Sequence, residues 1–451
     1  MPATIRTAVF LAALGLAALT PAPGRAADLG GDCCADLEER VATLEATTVR
    51  KGNRKVSLFI SGRVNANALW WDDHAAALDA DEPLDRASDL YFGNASSANE
   101  TKVVLDGSGK VSSDLTAGFL MTLKYDFSGA DSQIVRQGGP AVTTDTTYVF
   151  LKSARWGEYR LGNLPSASDD AYYVDFGSVG TVGGLYRSLM TGGFRLRAFG
   201  PDPGELTDVS YGHVLGELPD MNENRLMYIS PSWNGFSYKS DIGTNTGSAA
   251  LSWTGGMGSL RGAGAVGYQV SRAPDALSPG GGQSVQSASS ATVALTDSTH
   301  DTLRILAMSA SLLETKSGLF LTGEYSRAYA DVPGRQDASN WFLRTGWTKD
   351  VTGMGATTLD AQYQRTDNKL TNNTSAHLWG IGIDQAIDSA ASNIYLHYQH
   401  DSFDTSGVVT GAASASSPAD SCLSDGPGSA TNCTINAQSI DSLTAGMVIN
   451  F

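Results

Sequence analysis

Ser57-Leu58-Phe59-Ile60-Ser61-Gly62-Arg63-Val64-Asn65-Ala66-Asn67-Ala68-Leu69-Trp70-Trp71 is the stretch that decides the fold. Leu58, Ile60, Gly62, Val64, Ala66, Ala68 and Trp70 alternate with Ser57, Ser61, Arg63, Asn65 and Asn67. A strand sends successive side chains to opposite faces, so one face here is apolar and ends in an aromatic, and the other is polar. The run is longer than the about 5–6 residues usual in globular strands. It suits a tilted strand that crosses a bilayer and extends somewhat beyond it.

The pattern recurs outward from this stretch. Ala117, Phe119, Met121, Leu123, Tyr125 and Phe127 alternate with Thr122, Lys124 and Asp126, and Leu359, Ala361 and Tyr363 alternate with Asp360, Gln362 and Gln364. Trp341, Leu343 and Trp347 alternate with Phe342 and Arg344. Aromatics near strand ends match the girdles at membrane interfaces. About sixteen strands are predicted, at 56–71, 99–111, 115–127, 146–154, 158–164, 224–230, 235–243, 248–254, 260–271, 301–313, 317–330, 338–349, 356–367, 375–387, 391–401 and 438–451. Their connections mostly alternate short and long. Tight turns fall at 112–114, 155–157, 231–234, 314–316 and 388–390, and long loops near 72–98, 165–223, 272–300 and 402–437. A soluble sandwich has no reason to sort its loops this way; an outer-membrane barrel does. The predicted fold is therefore all-β, a transmembrane antiparallel barrel spanning 56–451. Phe451, Ile449 and Met447 share one face of the last strand. A terminal Phe on such a strand resembles the signal read by the outer-membrane assembly machinery.

Bulk properties agree. After residue 20 no apolar run approaches the about 20 residues of a spanning helix. Net charge is −16 with no basic patch, which disfavours nucleic-acid binding. Arg6, the apolar Ala8–Thr20 and Gly24-Arg25-Ala26 read as a signal peptide over 1–26, cut after Ala26. Residues 27–55 form a separate short segment. Leu37, Val41, Leu44 and Thr48 follow a coiled-coil spacing, so a helical, coiled-coil-like periplasmic piece is expected there. Export permits disulfides. Cys422 and Cys433 enclose ten residues of the last long loop and are expected to bridge, with two free thiols as the alternative. No cofactor or metal motif is present: G-x-S-x-G and H-E-x-x-H are missing, and Gly107-Ser108-Gly109-Lys110 lacks the spacing of a phosphate loop. An enzyme is not expected.

Asp32-Cys33-Cys34-Ala35-Asp36-Leu37-Glu38-Glu39-Arg40-Val41, with Lys51-Gly52-Asn53-Arg54-Lys55-Val56 after it, resembles the mature start of alphaproteobacterial porins. Asn224-Arg225-Leu226-Met227-Tyr228-Ile229-Ser230-Pro231-Ser232-Trp233-Asn234-Gly235-Phe236 resembles the strand–turn–strand of general porins. The resemblance implies a homotrimer of sixteen-stranded barrels in outer-membrane lipid and lipopolysaccharide. It further implies an inward-folded third external loop, here about 165–223, that narrows the pore, and attachment to peptidoglycan through a mature Ala27-Asp28 start. A passive diffusion channel for small hydrophilic solutes and ions is the function so implied. A sugar- or anion-selective porin and a structural tether to peptidoglycan are the alternatives.

A channel sorts solutes at its constriction by size and charged lining. Inward-pointing basic residues are Arg63, Lys102, Lys124, Arg160 and Arg225, and the acids of the inserted loop are Asp169, Asp170 and Asp175. Opposed basic and acidic sides would set a transverse field across the eyelet.

Overall fold

The alternation around Arg63 is realised as strand β1 (Ser57–Asp72), whose odd-numbered residues face inward: Asn65, Asn67, Leu69 and Trp71 are buried, whereas Val64 on the other face is exposed. In the computed structural model the described residues are 55–74, 88–93, 101–126, 141–172, 174–177, 194–200, 206–216, 222–272, 302–331, 333–370, 372–405, 408–410, 433–435 and 438–451. The expected signal peptide, the helical segment up to residue 54, Cys422 and the side chain of Cys433 lie outside them.

The strands that follow are β2 (Ser88–Gly93), β3 (Thr101–Lys110), β4 (Leu115–Asp126), β5 (Ala141–Ser153), β6 (Gly157–Leu164), β7 (Arg195–Gly200) and β8 (Leu206–Ser210). Then come β9 (Glu223–Ile229), β10 (Phe236–Gly243), β11 (Thr246–Met257), β12 (Leu260–Ser271), β13 (Leu303–Glu314), β14 (Leu319–Tyr329) and β15 (Ala338–Asp350). The last are β16 (Ala356–Asp367), β17 (Ser375–Ile387), β18 (Ser392–Asp404), β19 (Val408–Thr410), β20 (Cys433–Ile435) and β21 (Gln438–Asn450).

Seventeen strands share one sheet. β3 pairs with the first half of β1, from Ser57 to Arg63, and β2 with its second half, from Asn67 to Asp72. The two therefore occupy one position, and the sheet closes as a ring of sixteen antiparallel positions, β1-β3-β4-β5-β6-β9 and then β10 through β18, β21 and back to β1. Closure removes every open edge, which a bilayer demands because lipid offers no partner to an orphaned backbone group. At the seam β1 and β21 run in register from Arg63↔Asn450 to Asp72↔Asp441. Gly62 and Phe451 exchange both backbone hydrogen bonds, at 2.9 and 3.0 Å. The expected sixteen positions correspond one to one with the observed ring. β5 starts earlier than its pattern suggested, and β11 is longer. The inward face of β11 carries the small Ser248 and Ala250, so its alternation is muted in the sequence.

The outer face is apolar where lipid would lie, with Val149, Leu161, Leu226 and Ile381 all exposed. Trp156, Tyr159, Tyr228, Trp233, Phe236 and Trp347 gather at the short-turn end, and Tyr125, Tyr268, Tyr325, Trp341, Trp379 and Tyr398 at the other. These are the two interfacial girdles. No helix among the described residues is long and apolar enough to cross a membrane.

The short turns are tight by backbone geometry. Gly318 has φ +84°, donates to Glu314 O at 2.7 Å and accepts from Thr348 N at 2.8 Å. A Cβ there would stand 2.2 Å from Thr348 O. Gly318→Val should therefore lose about 1–3 kcal/mol through the left-handed backbone alone. The measurement is the temperature at which the folded band converts to the unfolded band on a detergent gel. An unchanged temperature would show that the turn can rearrange.

Candidate functional site

The interior is built from the inward residues of each strand together with two segments of the long connection between β6 and β9. The first segment, up to residue 172 and again over 174–177, lies along the inner wall from β10 to β15. Ala167 N donates to Asp241 Oδ2 at 2.6 Å and Ser168 N to Ser248 Oγ at 3.2 Å. Farther along, Val174 N donates to Ser309 Oγ at 3.2 Å and Phe176 N to Ser311 Oγ at 3.0 Å. Serines at these inward positions thus give the incoming backbone its partners, as buried N–H groups require. Ala171 and Tyr172 pack on Ala265, Leu303, Ile305 and Ala307. Gly267 lets the segment come this close: a Cβ there would stand 2.7 Å from the Ser168 side chain.

Asp175 anchors the far end. Its carboxylate meets Arg344 Nη1 at 2.6 Å and accepts from Thr322 Oγ1 at 2.8 Å. The Arg344 side chain is wholly buried and also lies 3.3 Å from Asp360 Oδ2.

The second segment, 194–200 with 206–216, docks inside the same ring against another wall. It carries a short helix, α1 (Tyr211–Val214). Phe194, Leu196, Tyr211 and Leu215 are buried against Leu69 and Trp71 of β1, Phe403 of β18 and Ile440 of β21. Tyr211 lies over Phe403 at 4.3 Å between ring centroids. Arg197 Nε pairs with Asp73 at 2.5 Å, and Lys369 Nζ caps the end of α1 by donating to Gly212 O and Leu215 O at 2.8 and 3.1 Å. Burial raises the Tyr211 phenol well above its ordinary pKa, and Asp73 and Asp401 push it the same way.

The basic residues singled out from the sequence separate into two environments. Arg63, Lys102 and Lys124 are direct cross-strand partners on β1, β3 and β4, all on the inner face and all partly exposed. Lys124 pairs with Asp145 at 2.8 Å. Arg160 on β6 is also partly exposed; it pairs with Glu158 at 2.6 Å and lies over the Tyr148 ring at 4.9 Å. Arg225 differs: its side chain is fully buried in the wall and paired with Asp241 at 2.8 Å. Asp241 also supports the start of the docked segment, so Arg225 holds the carboxylate that holds the loop.

The acids separate too. Asp169 sits in the one-turn helix Asp169–Tyr172, partly exposed, and Lys239 of β10 lies within electrostatic range of Asp169, Arg160 and Glu158. Asp175 is committed to Arg344. Asp170 belongs to the same turn, and its side chain lies outside the described residues.

Sequence reasoning passed over Lys239, Asp241 and Arg344; residues 194–200 and 206–216 lie within the expected inserted loop of about 165–223, but none of them was singled out. Arg344 was visible as an inward cation by parity, but nothing local marks its partner 169 residues away.

In the sixteen-position ring β3 stands eight places from β13, so the Arg63–Lys102–Lys124 row faces the wall on which 165–177 is docked. A polar-lined interior narrowed by an inserted segment, inside a closed barrel with an apolar exterior, is the anatomy of an aqueous pore.

Comparison with known proteins agrees. A family model described as Gram-negative porin matches residues 13–406. No curated protein matches the sequence. Among solved structures, an anion-selective porin from Comamonas acidovorans is similar at 15% identity and a TM-score of 0.52, over 88% of this chain and 100% of that one. OmpT, an outer membrane protein of Vibrio cholerae, is similar at 14% identity and 0.50, over 89% and 99%. The outer membrane channel DcaP of Acinetobacter baumannii is similar at 10% identity and 0.50, also over 89% and 99%. At these identities the likeness speaks for the fold, and the family model speaks for descent. The chain thus belongs to the Gram-negative porin family, as an integral outer-membrane barrel through which small solutes diffuse.

Proposed function

We propose that solutes pass between the Arg63–Lys102–Lys124 row, continued by Arg160, and the docked turn carrying Asp169 and Asp170, and that this gap is the selective eyelet. The observation behind this reading is the position of 165–177, hydrogen-bonded to the wall directly across the ring from the basic row. Charge of opposite sign on the two sides orders water and polar solutes across the gap and disfavours apolar ones. Arg225 and Asp175 act one layer back, fixing the loop instead of meeting the solute.

Bilayer recordings test this. Steady channels whose conductance scales with bulk salt are expected from the purified protein, whereas a saturating block by a sugar or anion would point to the substrate-selective alternative. Replacing the row as R63E/K102E/K124E should shift the cation-to-anion permeability ratio by roughly tenfold, as focused fields in charged clefts do. An unchanged reversal potential in a salt gradient would place the eyelet elsewhere.

The N-terminal resemblance supports assignment to the alphaproteobacterial branch, a homotrimeric assembly, cleavage after Ala26 and peptidoglycan attachment at Ala27. Digested cell-wall sacculi should release peptides bearing Ala27 linked to peptidoglycan; finding only free Ala27 termini would end the attachment proposal. Phe451 at the seam supports recognition by the assembly machinery, and Cys422 with Cys433 is proposed as a loop disulfide.

A further inference from the structure

We propose that Asp360, Asp384 and His397, on the inner faces of β16, β17 and β18, form a binding site for one divalent transition-metal ion of the zinc class. The three come from adjacent strands and all are buried. Their donor atoms all lie within 4.8 Å of one another, and His397 Nε2 is 3.2 Å from Asp384 Oδ2. Two ligands of a single zinc ion stand about 3–4 Å apart, so small rotations bring the set to coordination distance.

The room for an ion comes from the middle strand. Gly382 is the cross-strand partner of both Asp360 and His397, and Gly380 that of both Gln362 and Gln399. The two glycines put no side chain on the inner face of β17 between the carboxylate and amide of β16 and the imidazole and amide of β18.

Gln362 supplies an independent indication. It is 5% exposed, and neither its amide nitrogen nor its amide oxygen has a hydrogen-bond partner among the described residues. Native proteins rarely leave a buried amide unsatisfied, and a bound ion with its water shell would give it partners.

The neighbouring charges are compatible. Arg344 approaches Asp360, and its own charge is matched by Asp175 at 2.6 Å. One imidazole with two carboxylates favours zinc-like ions over magnesium or calcium, which prefer oxygen alone. The ion would bind three neighbouring strands together on the pore wall.

The test uses the full chain, folded in detergent, stripped with chelator and dialysed against zinc, with bound metal counted by mass spectrometry. One zinc per chain is expected, with affinity weakened at least about tenfold in D384N and in H397L. The other His–Asp cluster, where His74 and His400 each contact Asp441 at 2.8 Å at the outer rim, serves as the control, and H74A/H400A should keep the lumen zinc. Absence of zinc from the wild type, or equal affinity in D384N and H397L, overturns the proposal. Should those variants not fold, cobalt bound to the wild-type chain replaces them. A ligand-field spectrum without thiolate charge transfer is expected; no cobalt spectrum, or a thiolate band from the cysteines, overturns the site. Conductance of the metal-free protein reads the channel separately, so failure here leaves the porin function untouched.

Discussion

Arg344→Leu is expected to lower the unfolding temperature of the barrel and raise its single-channel conductance together. The Arg344 guanidinium is the counter-charge of Asp175 on the docked segment and lies against Asp360 on the neighbouring strand. Removing one partner of a buried pair leaves the other charge unpaired, which costs about 3–5 kcal/mol, well beyond the worth of the contact itself. Part of that cost can be relieved by release of Asp175 into the aqueous lumen, so the loop should detach before the barrel does. Conductance then reports the detachment and the gel-shift temperature reports the barrel. Arg344→Lys should be intermediate, because a point charge cannot address two carboxylates as a planar fork does. If the leucine variant conducts and unfolds like the wild type, the anchor is elsewhere.

The second large effect is expected from Tyr211→Ala. Tyr211 is 1% exposed; it holds the segment to the wall through Phe403, 4.3 Å away between ring centroids, and stacks on Phe194, 6.1 Å away, which itself meets Trp71 of β1 at 5.4 Å. Truncating a buried aromatic costs about 3–5 kcal/mol. Here the loss falls on a docked segment and not on the hydrogen-bonded ring, so conductance should rise and become noisier while the gel-shift temperature moves little. Tyr211→Phe keeps the packing and should behave as wild type; equal conductance in the alanine variant would mean that this segment does not narrow the path.

A pH dependence follows from the same residue. Its phenol is held well above its ordinary range by burial. The docked form therefore stays protonated while an undocked phenol ionises near its usual pKa of about 10. Docking free energy is fully present below about pH 10 and falls as pH rises beyond it, because ionisation then favours the released form. Conductance steps should be insensitive to this group at neutral pH and grow in alkaline buffer, and Tyr211→Phe should abolish the alkaline rise.

The positions of the strands and the facing of their residues were legible in the sequence. Leu58 to Trp70, Ala117 to Tyr125 and Leu359 to Tyr363 each keep an apolar residue at every second position apart from Gly62, because a strand between lipid and water has a different solvent on each side of every residue pair. That constraint is local, and it writes itself into a period of two. Loop sorting was legible for a related reason: only short turns suit one end of such a barrel, and Gly318 marks one.

What the channel presents to a solute was decided by tertiary structure alone. Arg63 and Arg225 have the same inward parity, yet Arg63 lies partly exposed in a basic row and Arg225 is sealed against Asp241 under a docked loop. Asp169 and Asp175 lie within a single short segment, but one is partly exposed and the other is consumed by Arg344 from β15. Leu69 and Trp71 break the polar inner face of β1, and their reason arrives only with Phe194, Leu196 and Tyr211. Parity assigns each side chain to the inside of the barrel, but whether it then meets water, a counter-charge or a folded-in loop depends on contacts between residues far apart in the chain, for which local periodicity carries no signal.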